Sequence, residues 1–287
     1  MSEGRIVLAA TPIGNLGDAS ARLRELLAEA DVIAAEDTRT ARRLCQGLGV
    51  TPRGRLVAHH DHNEAASVQG LLEQVRSGAT VAVVSEAGMP TVSDPGHRLV
   101  AAAVAEGLEV TCAPGASAVT TALALSGLTT DRFAFDGFIP RKDGERRRWL
   151  ASLLTEGRTV VAFESPQRIA DVLAVVEDVL GADRPVAVAR ELTKLHEEVV
   201  RGTAAEVNAW ARERAAGEGI RGEIVLVIGP ASPDAPSAAG ATEADAVAEV
   251  GVLVDSGTRL KEAVATVAAA HGLRSRTLYQ AVLDARE

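Results

Sequence analysis

The sequence predicts an α/β protein of two domains that ends in a small helical module. Three observations carry that expectation. Short apolar runs alternate with helical patterns through the first half of the chain, the signature of βαβ units on a parallel sheet. The second half keeps strand-like runs but places only one helical stretch among its last three, so its sheet is expected to be mixed. A stretch rich in Pro, Ala, Ser and Gly at 229–242 then reads as a linker to further helices. The expected layout is therefore 1–127, 128–229, a linker at 230–242 and a module at 243–287.

The elements follow in order. Residues 6–10 read as a buried strand, and 19–30 as a helix with leucines at 23, 26 and 27. Residues 31–35, 80–85 and 109–112 are further strands, with a helical pattern at 96–106 before the last. Pro114-Gly115 opens a small-residue helix that ends near Gly127. In the second half, 132–137, 158–163, 185–190, 199–202 and 223–228 read as strands. Helices are expected at 144–154 and 204–215, and Pro166 suits a first helical turn. Beyond the linker, 259–271 and 275–285 read as two helices around Gly272, with Ser275 a suitable N-cap. They fit either a helix-turn-helix or a plain hairpin packed on the main body.

Composition bounds the function. A chain of 287 residues with 47% hydrophobic residues can build two cores. No run approaches the roughly 18 apolar residues of a membrane span, and the apolar run after Arg5 is too short for a signal peptide. Cys45 and Cys112 form no Cys-x-x-Cys pair and no disulfide framework, so a reducing cytoplasm is the expected location. The net charge of −9 suits a nucleic-acid surface only if positive charge is local. Arg39, Arg42 and Arg43 could supply it, as could Arg141, Lys142, Arg146, Arg147 and Arg148. The 2% aromatic content argues against a base-stacking platform.

The loops after the strands carry the chemistry, because open α/β sheets place ligands there. Thr11-Pro-Ile-Gly-Asn-Leu16 lacks the G-x-G-x-x-G of dinucleotide enzymes. Residues 85–96, SEAGMPTVSDPG, hold Gly88, which allows close backbone approach. Ala113-Pro-Gly-Ala-Ser-Ala118 offers free amides to a polar ligand. Glu36-Asp37-Thr38-Arg39 reads equally as a functional carboxylate–guanidinium group and as a solvated helix start. His59, His60, Asp61 and His62 lack the spacing of a metal site, so no metal is expected. The charged run at 190–198 reads as a solvated edge.

In order, the chain carries ATPIGNL (10–16), AEDTR (35–39), HDHNE (60–64), SEAGMPTVSDPG (85–96), PGASA (114–118), GFIPRK (137–142), ESPQR (164–168), RELTK (190–194) and RGEIVLVI (221–228). This series resembles the small-subunit ribosomal RNA methyltransferase I family, a branch of the tetrapyrrole methylase superfamily, over about residues 5–230. The resemblance implies a two-domain tetrapyrrole-methylase (class III methyltransferase) fold, with S-adenosylmethionine in the cleft between domains. It implies cofactor contacts from Pro12, Val84, Ser85, Glu86, Met89, Ser117, Ala118, Phe163 and Ala189, to which close backbone approach adds Gly88. It also implies 2′-O-methylation of a cytidine ribose in small-subunit (16S) RNA by a homodimer. The RNA contacts expected are Arg39, His60, His62, Asn63, Arg141, Lys142, Arg146, Arg147 and Arg148. Three positions depart from the family pattern: Glu86 stands where Asp is usual, Met89 where Thr is, and Gln167 where His is.

Methyl transfer from a sulfonium is an in-line displacement in which the protein chiefly orients the partners. A ribose hydroxyl gains from a nearby carboxylate base. Glu36 and Glu164 are the catalytic candidates, because each ends a strand. Two competing readings are a methylase of a tetrapyrrole or diphthamide precursor and a non-enzymatic nucleic-acid binder. HDHNE, ESPQR and the helical module favour the ribosomal branch over the first, and the cofactor loops count against the second.

Overall fold

A computed structural model describes residues 4–60, 64–232, 243–255, 258–270 and 275–285. It divides into two compact units: Met1–Thr121 with Glu191–Glu197, and Ala122–Arg190 with Glu198–Glu287.

The first unit is built on five parallel strands, β1 (Arg5–Ala9), β2 (Val32–Ala35), β3 (Arg55–Ala58), β4 (Thr80–Val84) and β5 (Glu109–Ala113), in the order β3-β2-β4-β1-β5. Its helices are α1 (Ala21–Glu29), α2 (Thr38–Gly47), α3 (Glu64–Arg76) and α4 (His97–Ala105), and α5 (Ala118–Ser126) runs from it into the second unit. Strand side chains alternate between faces. Val7, Ala9, Ile33, Ala35, Ala82 and Val84 pack with Leu23 and Leu27 of α1 and Ala41 and Cys45 of α2. Their neighbours Ile6, Val32, Ala34, Val81 and Val83 pack with Leu71 and Leu72 of α3 and Leu99 of α4. Burial on both faces explains why these strands read as continuous apolar runs. Ser20 caps α1 by accepting from the Leu23 amide at 3.0 Å.

In the second unit, β6 (Phe133–Phe138), β7 (Thr159–Glu164), β8 (Pro185–Arg190), β9 (Glu198–Thr203) and β10 (Ile224–Ile228) follow the order β6-β7-β10-β8-β9. Only β6 and β7 pair in parallel; the other three pairings are antiparallel, the mixed sheet that the sequence predicts. Its core joins α6 (Asp143–Ser152), α7 (Ile169–Leu180) and α8 (Ala204–Ala216) through Leu150, Leu173 and Val207. A capping box between Thr203 and Glu206 starts α8.

Four elements go beyond the sequence reading. α2, β3 and α3 fill the span 38–76, which shows no clear apolar period. The C-terminal module has three helices rather than two: α9 (Glu243–Asp255), α10 (Leu260–Ala270) and α11 (Ser275–Asp284). They share a core of Ala246, Val250, Ala263, Val264, Val267, Ala268, Leu278 and Val282. Expected edges also shift. α5 begins at Ala118 rather than at Pro114-Gly115, and α7 begins at Ile169, so Pro166 precedes the helix. Most of the linker and Gly272 lie outside the described residues. Among the described residues, no helix is long and apolar enough to cross a membrane.

Helix α10 packs on α6. The module is therefore seated on the second unit, which gives it a share in stability that a freely tethered appendage would lack. Truncation after Ser232 should lower the melting temperature by about 2–8 °C, the shift about 1–2 kcal/mol gives in a body of this size. Calorimetry on the truncated chain measures it, and an unchanged transition would show that the α10–α6 contact adds nothing.

Candidate functional site

Strand order sets where a ligand can sit in the first unit. From β1 the chain crosses to β2 on one side, and from β4 it crosses to β5 on the other. The loops leaving β1 and β4 therefore diverge at neighbouring strands, the switch point where open sheets bind ligands. Here the two loops are joined through their backbones. The Thr11 amide donates to the Gly88 carbonyl at 2.9 Å, and the Gly88 amide donates to the Thr11 carbonyl at 3.1 Å. The Ser85 hydroxyl donates to the same Gly88 carbonyl at 2.7 Å. The third loop closes on the first: the Ala10 amide donates to the Ala113 carbonyl at 3.0 Å.

Gly88 has φ +80°, a conformation L side chains rarely adopt. A Cβ there would lie 3.4 Å from Ile13 Cγ2 and 3.6 Å from the Ala116 carbonyl oxygen, so all three loops converge on this residue. Thr91 and Ser93 hold positive φ without being glycine, at 73° and 63°. Strain of that kind gathers where shape is functional.

The residues expected at the cofactor divide by unit. Pro12, Val84, Ser85 and Gly88 are buried, Met89, Ser117 and Ala118 are half-buried, and Glu86 is exposed; all lie at the C-terminal ends of β1, β4 and β5. Phe163 and Ala189 belong to the second unit. Phe163 is half-buried in β7 and meets Phe135 and Phe138 edge-on, with ring centroids 4.9 and 5.4 Å away. Ala189 is buried in β8 opposite Val225.

Glu36 is half-buried just after β2. The next residue, Asp37, is the N-cap of α2 and accepts from the Arg39 amide at 2.7 Å. The Arg39 guanidinium pairs with it at 2.8 Å and holds its carboxyl down at about 2. Asp37 and Arg39 thus form the helix start that is one of the two readings of AEDTR. His60 is half-buried. His62 and Asn63 lie outside the described residues.

Glu164 ends β7 with its side chain only 1% exposed. The Ser165 amide donates to its Oε1 at 2.6 Å, and Arg168 lies 2.9 Å from Oε2 as an ion pair rather than a well-aligned hydrogen bond. Burial pushes the Glu164 carboxyl above its ordinary range, against the pull of the Ser165 amide and Arg168. Arg168 also donates to the carbonyls of Ile139 and Pro140, at 3.2 and 2.9 Å. One guanidinium therefore fastens the ESPQR turn to the GFIPRK turn. The sequence reading passes over Arg168; the ESPQR motif is its only signal.

The basic run on α6 is less free than its sequence suggests. Arg146 is buried and donates to Asp143 at 2.8 Å. Arg147 pairs with Asp143 and Asp178, at 3.2 and 2.6 Å. Lys142 pairs with Glu145 at 3.2 Å. Arg148 donates to the Gly144 carbonyl, and Arg141 is exposed. Of the local positive charge expected here, Arg146 is buried and Arg147 is held by two carboxylates, which leaves the exposed Arg141, Lys142 and Arg148, with Lys142 itself paired to Glu145. Arg42 and Arg43 are exposed on α2. Among the described residues no group of three His, Cys, Asp or Glu gathers that could hold a metal.

The RELTK run is also corrected. It is no solvated edge: Leu192 is buried, and the Lys194 side chain is 26% exposed.

A parallel five-stranded unit with three loops converging at its switch point, together with a mixed-sheet unit, is the architecture of a methylase class. Residues 5–208 match the model of the tetrapyrrole (corrin/porphyrin) methylases, and the chain belongs to that family. It is 51% identical to ribosomal RNA small subunit methyltransferase I of Mycobacterium bovis, over 100% of this chain and 97% of that one. To the protein of the same name in Escherichia coli O157:H7 it is 38% identical, over 99% and 96%. Within the superfamily it is thus a member of the ribosomal RNA small subunit methyltransferase I family. Its fold is similar to that of uroporphyrin III C-methyltransferase from Thermus thermophilus complexed with S-adenyl homocysteine. That match has a TM-score of 0.53 at 18% identity, over 79% of this chain and 97% of that one.

Arg168→Ala should destabilise the protein by about 2–4 kcal/mol at pH 7, because it strands a buried carboxylate and two carbonyls. The sign with pH follows from Glu164. A carboxyl raised in the folded state favours folding at low pH, and that contribution is lost as pH rises through the folded value. Without Arg168 the loss is larger, so the gap between wild type and variant should widen from pH 5 to pH 8. Urea titrations across that range check it. A gap that narrows would show that Glu164 is not the partner that matters.

Proposed function

We propose that this chain methylates the 2′-hydroxyl of a cytidine in small-subunit (16S) ribosomal RNA, with S-adenosylmethionine as donor. The observation that carries the reading is the convergence of three loops on Gly88, in a chain similar along its whole length to enzymes named for this RNA. The fold relative titled with S-adenyl homocysteine supports the donor.

The residues present fit such a donor. Gly88 keeps a cradle open that a larger side chain would fill, and the 85–89 and 114–118 loops present small residues and backbone amides. Pro12, Val84, Ser85, Glu86, Gly88, Met89, Ser117 and Ala118 would hold it. When bound, the donor supplies an electrophilic methyl group on a sulfonium. The chain's own task is to orient the ribose hydroxyl and receive its proton. Glu36 is the carboxylate we assign to that proton. Glu164 is enclosed and committed to Ser165 and Arg168, which suits it to holding the ESPQR turn. Arg141, Lys142 and Arg148 are the side chains we assign to RNA phosphate, and the HDHNE residues His60, His62 and Asn63 are assigned to the RNA by the resemblance. The same reading makes the enzyme a cytoplasmic homodimer that needs no metal.

Tritiated S-adenosylmethionine incubated with small subunits, with a corrinoid precursor or with neither tests the substrate. Label should enter 16S RNA and survive alkali as a dinucleotide, since a methylated 2′-oxygen cannot attack the neighbouring phosphate. Label in the corrinoid alone would overturn the proposal. Gly88→Val should remove donor binding in calorimetry while the circular dichroism of the folded chain persists; an unchanged affinity would place the donor elsewhere.

For RNA, Arg141→Ala with Arg148→Ala should weaken binding and reduce the salt slope by roughly one to two, about one for each phosphate no longer neutralised. Arg147→Ala should leave the slope unchanged, because its charge is already met by Asp143 and Asp178. Equal slopes for both variants would remove RNA binding from α6.

A further inference from the structure

We propose that Lys194 is a positioning residue for the donor site: its aliphatic stem lies on Gly14 and holds the turn after β1 in its binding shape. The inference rests on reading the first unit's loops as that site.

Gly14 shows the contact. A Cβ at this residue would fall 2.4 Å from Lys194 Cγ, 2.9 Å from Cε and 3.1 Å from Cδ. Three consecutive parts of one stem thus cover the glycine where a side chain would project. The backbone there is bare, so the stem reaches closer than it could to any other residue. Gly14 directly follows Ile13, whose side chain meets Gly88, and Thr11 pairs with Gly88 through two hydrogen bonds. The stem and Gly88 therefore grip the same four-residue turn from its two ends.

The segment that carries Lys194 is itself fixed in an unusual shape. Glu191–Glu197 leaves the second unit after β8, groups with the first unit, and returns at β9. The Lys194 ammonium pairs with Glu191 at 2.7 Å, and the two side chains are only 26% and 19% exposed. The Lys194 amide donates to the Glu191 carbonyl at 3.0 Å, and the Thr193 amide donates to Glu197 at 2.6 Å. Glu191 and Thr193 both have positive φ, at 51° and 66°, without being glycine. Such strain persists only where surrounding contacts over-determine it. A loop that merely connected two strands of a hairpin would relax. Leu195 is 92% exposed, so the segment does not simply bury what is apolar; it buries Leu192 and lays Lys194 inward. Lysine suits the task because its stem packs while its head stays paired.

Lys194→Ala removes stem and charge, whereas Lys194→Met keeps the stem and removes the charge. Two readouts apply: amide hydrogen exchange over residues 11–16 in the ligand-free protein, and calorimetric affinity for S-adenosylmethionine. Lys194→Ala should speed exchange in that turn and weaken donor binding about tenfold, the loss of a pre-organised loop, with KM raised and kcat nearly kept. Lys194→Met should return both to within about twofold of wild type, since the packing survives. An alanine variant with unchanged exchange and affinity overturns the proposal, and so does a methionine variant that behaves like alanine. A wild-type chain that binds no donor overturns the donor-site reading, and with it the role given to Lys194. Wild-type binding with an unaffected alanine variant overturns the role alone.

Discussion

Two hydrogen bonds between Thr11 and Gly88 are the constraint on which the first unit's working edge depends. The strands beneath them are parallel and buried on both faces, so their C-terminal ends deliver loops to one rim. Without a link those loops would be independent, each with its own conformational freedom. The Thr11–Gly88 pairing turns two loops into one rigid corner, and the Ser85 hydroxyl on the same carbonyl fixes its depth. Gly88 must be glycine because of its φ of +80°, at the point where Ile13 and Ala116 come within van der Waals reach.

The second unit relies on one guanidinium in a comparable way. Arg168 reaches from the ESPQR turn to the Ile139 and Pro140 carbonyls while meeting Glu164. Two motifs some thirty residues apart in sequence are thereby parts of one structure. This explains why charged residues that look available in the sequence are occupied in the fold. Arg146, Arg147, Arg39 and Lys194 each have a carboxylate partner nearby. A protein of net charge −9 has an excess of acidic groups, and many of its cations are neutralised internally. On and before α6, what remains for an anionic partner is a short set, and its value is local rather than global.

How far the sequence discloses the fold depends on which physical signal each element carries. Strands β1, β2 and β4 were legible because burial on both faces makes them uniformly apolar. β3 was not: it is a four-residue edge strand that begins with an arginine. Helix α2 escaped because only Ala41 and Cys45 are buried on it, and five of its ten residues are Thr or Arg. Helix α9 escaped because among its described side chains only Ala246 and Val250 are buried. The loops at the candidate site were legible as ligand loops, since Gly88 and the small residues of 113–118 advertise backbone access. Partnerships were not. Nothing local in RELTK says that Lys194 lies on Gly14, 180 residues earlier, because that contact exists only in the folded chain.

Among the described residues, four non-glycine positions adopt positive φ: Thr91, Ser93, Glu191 and Thr193. All four lie in the first unit, two in the loop after β4 and two in the segment that carries Lys194. Each costs on the order of 1–3 kcal/mol relative to a relaxed backbone, a large share of a typical domain's stability. Glycine would remove most of that cost but would also loosen the loop, because its backbone loses the most freedom on ordering. Side chains at these positions therefore trade strain for definition. The Thr193 amide on Glu197 and the Lys194 ammonium on Glu191 show how the definition is achieved: short local contacts hold a shape that the backbone alone would leave. A site that must orient a methyl donor within a fraction of an ångström gains more from fixed loops than from the last few kcal/mol of stability.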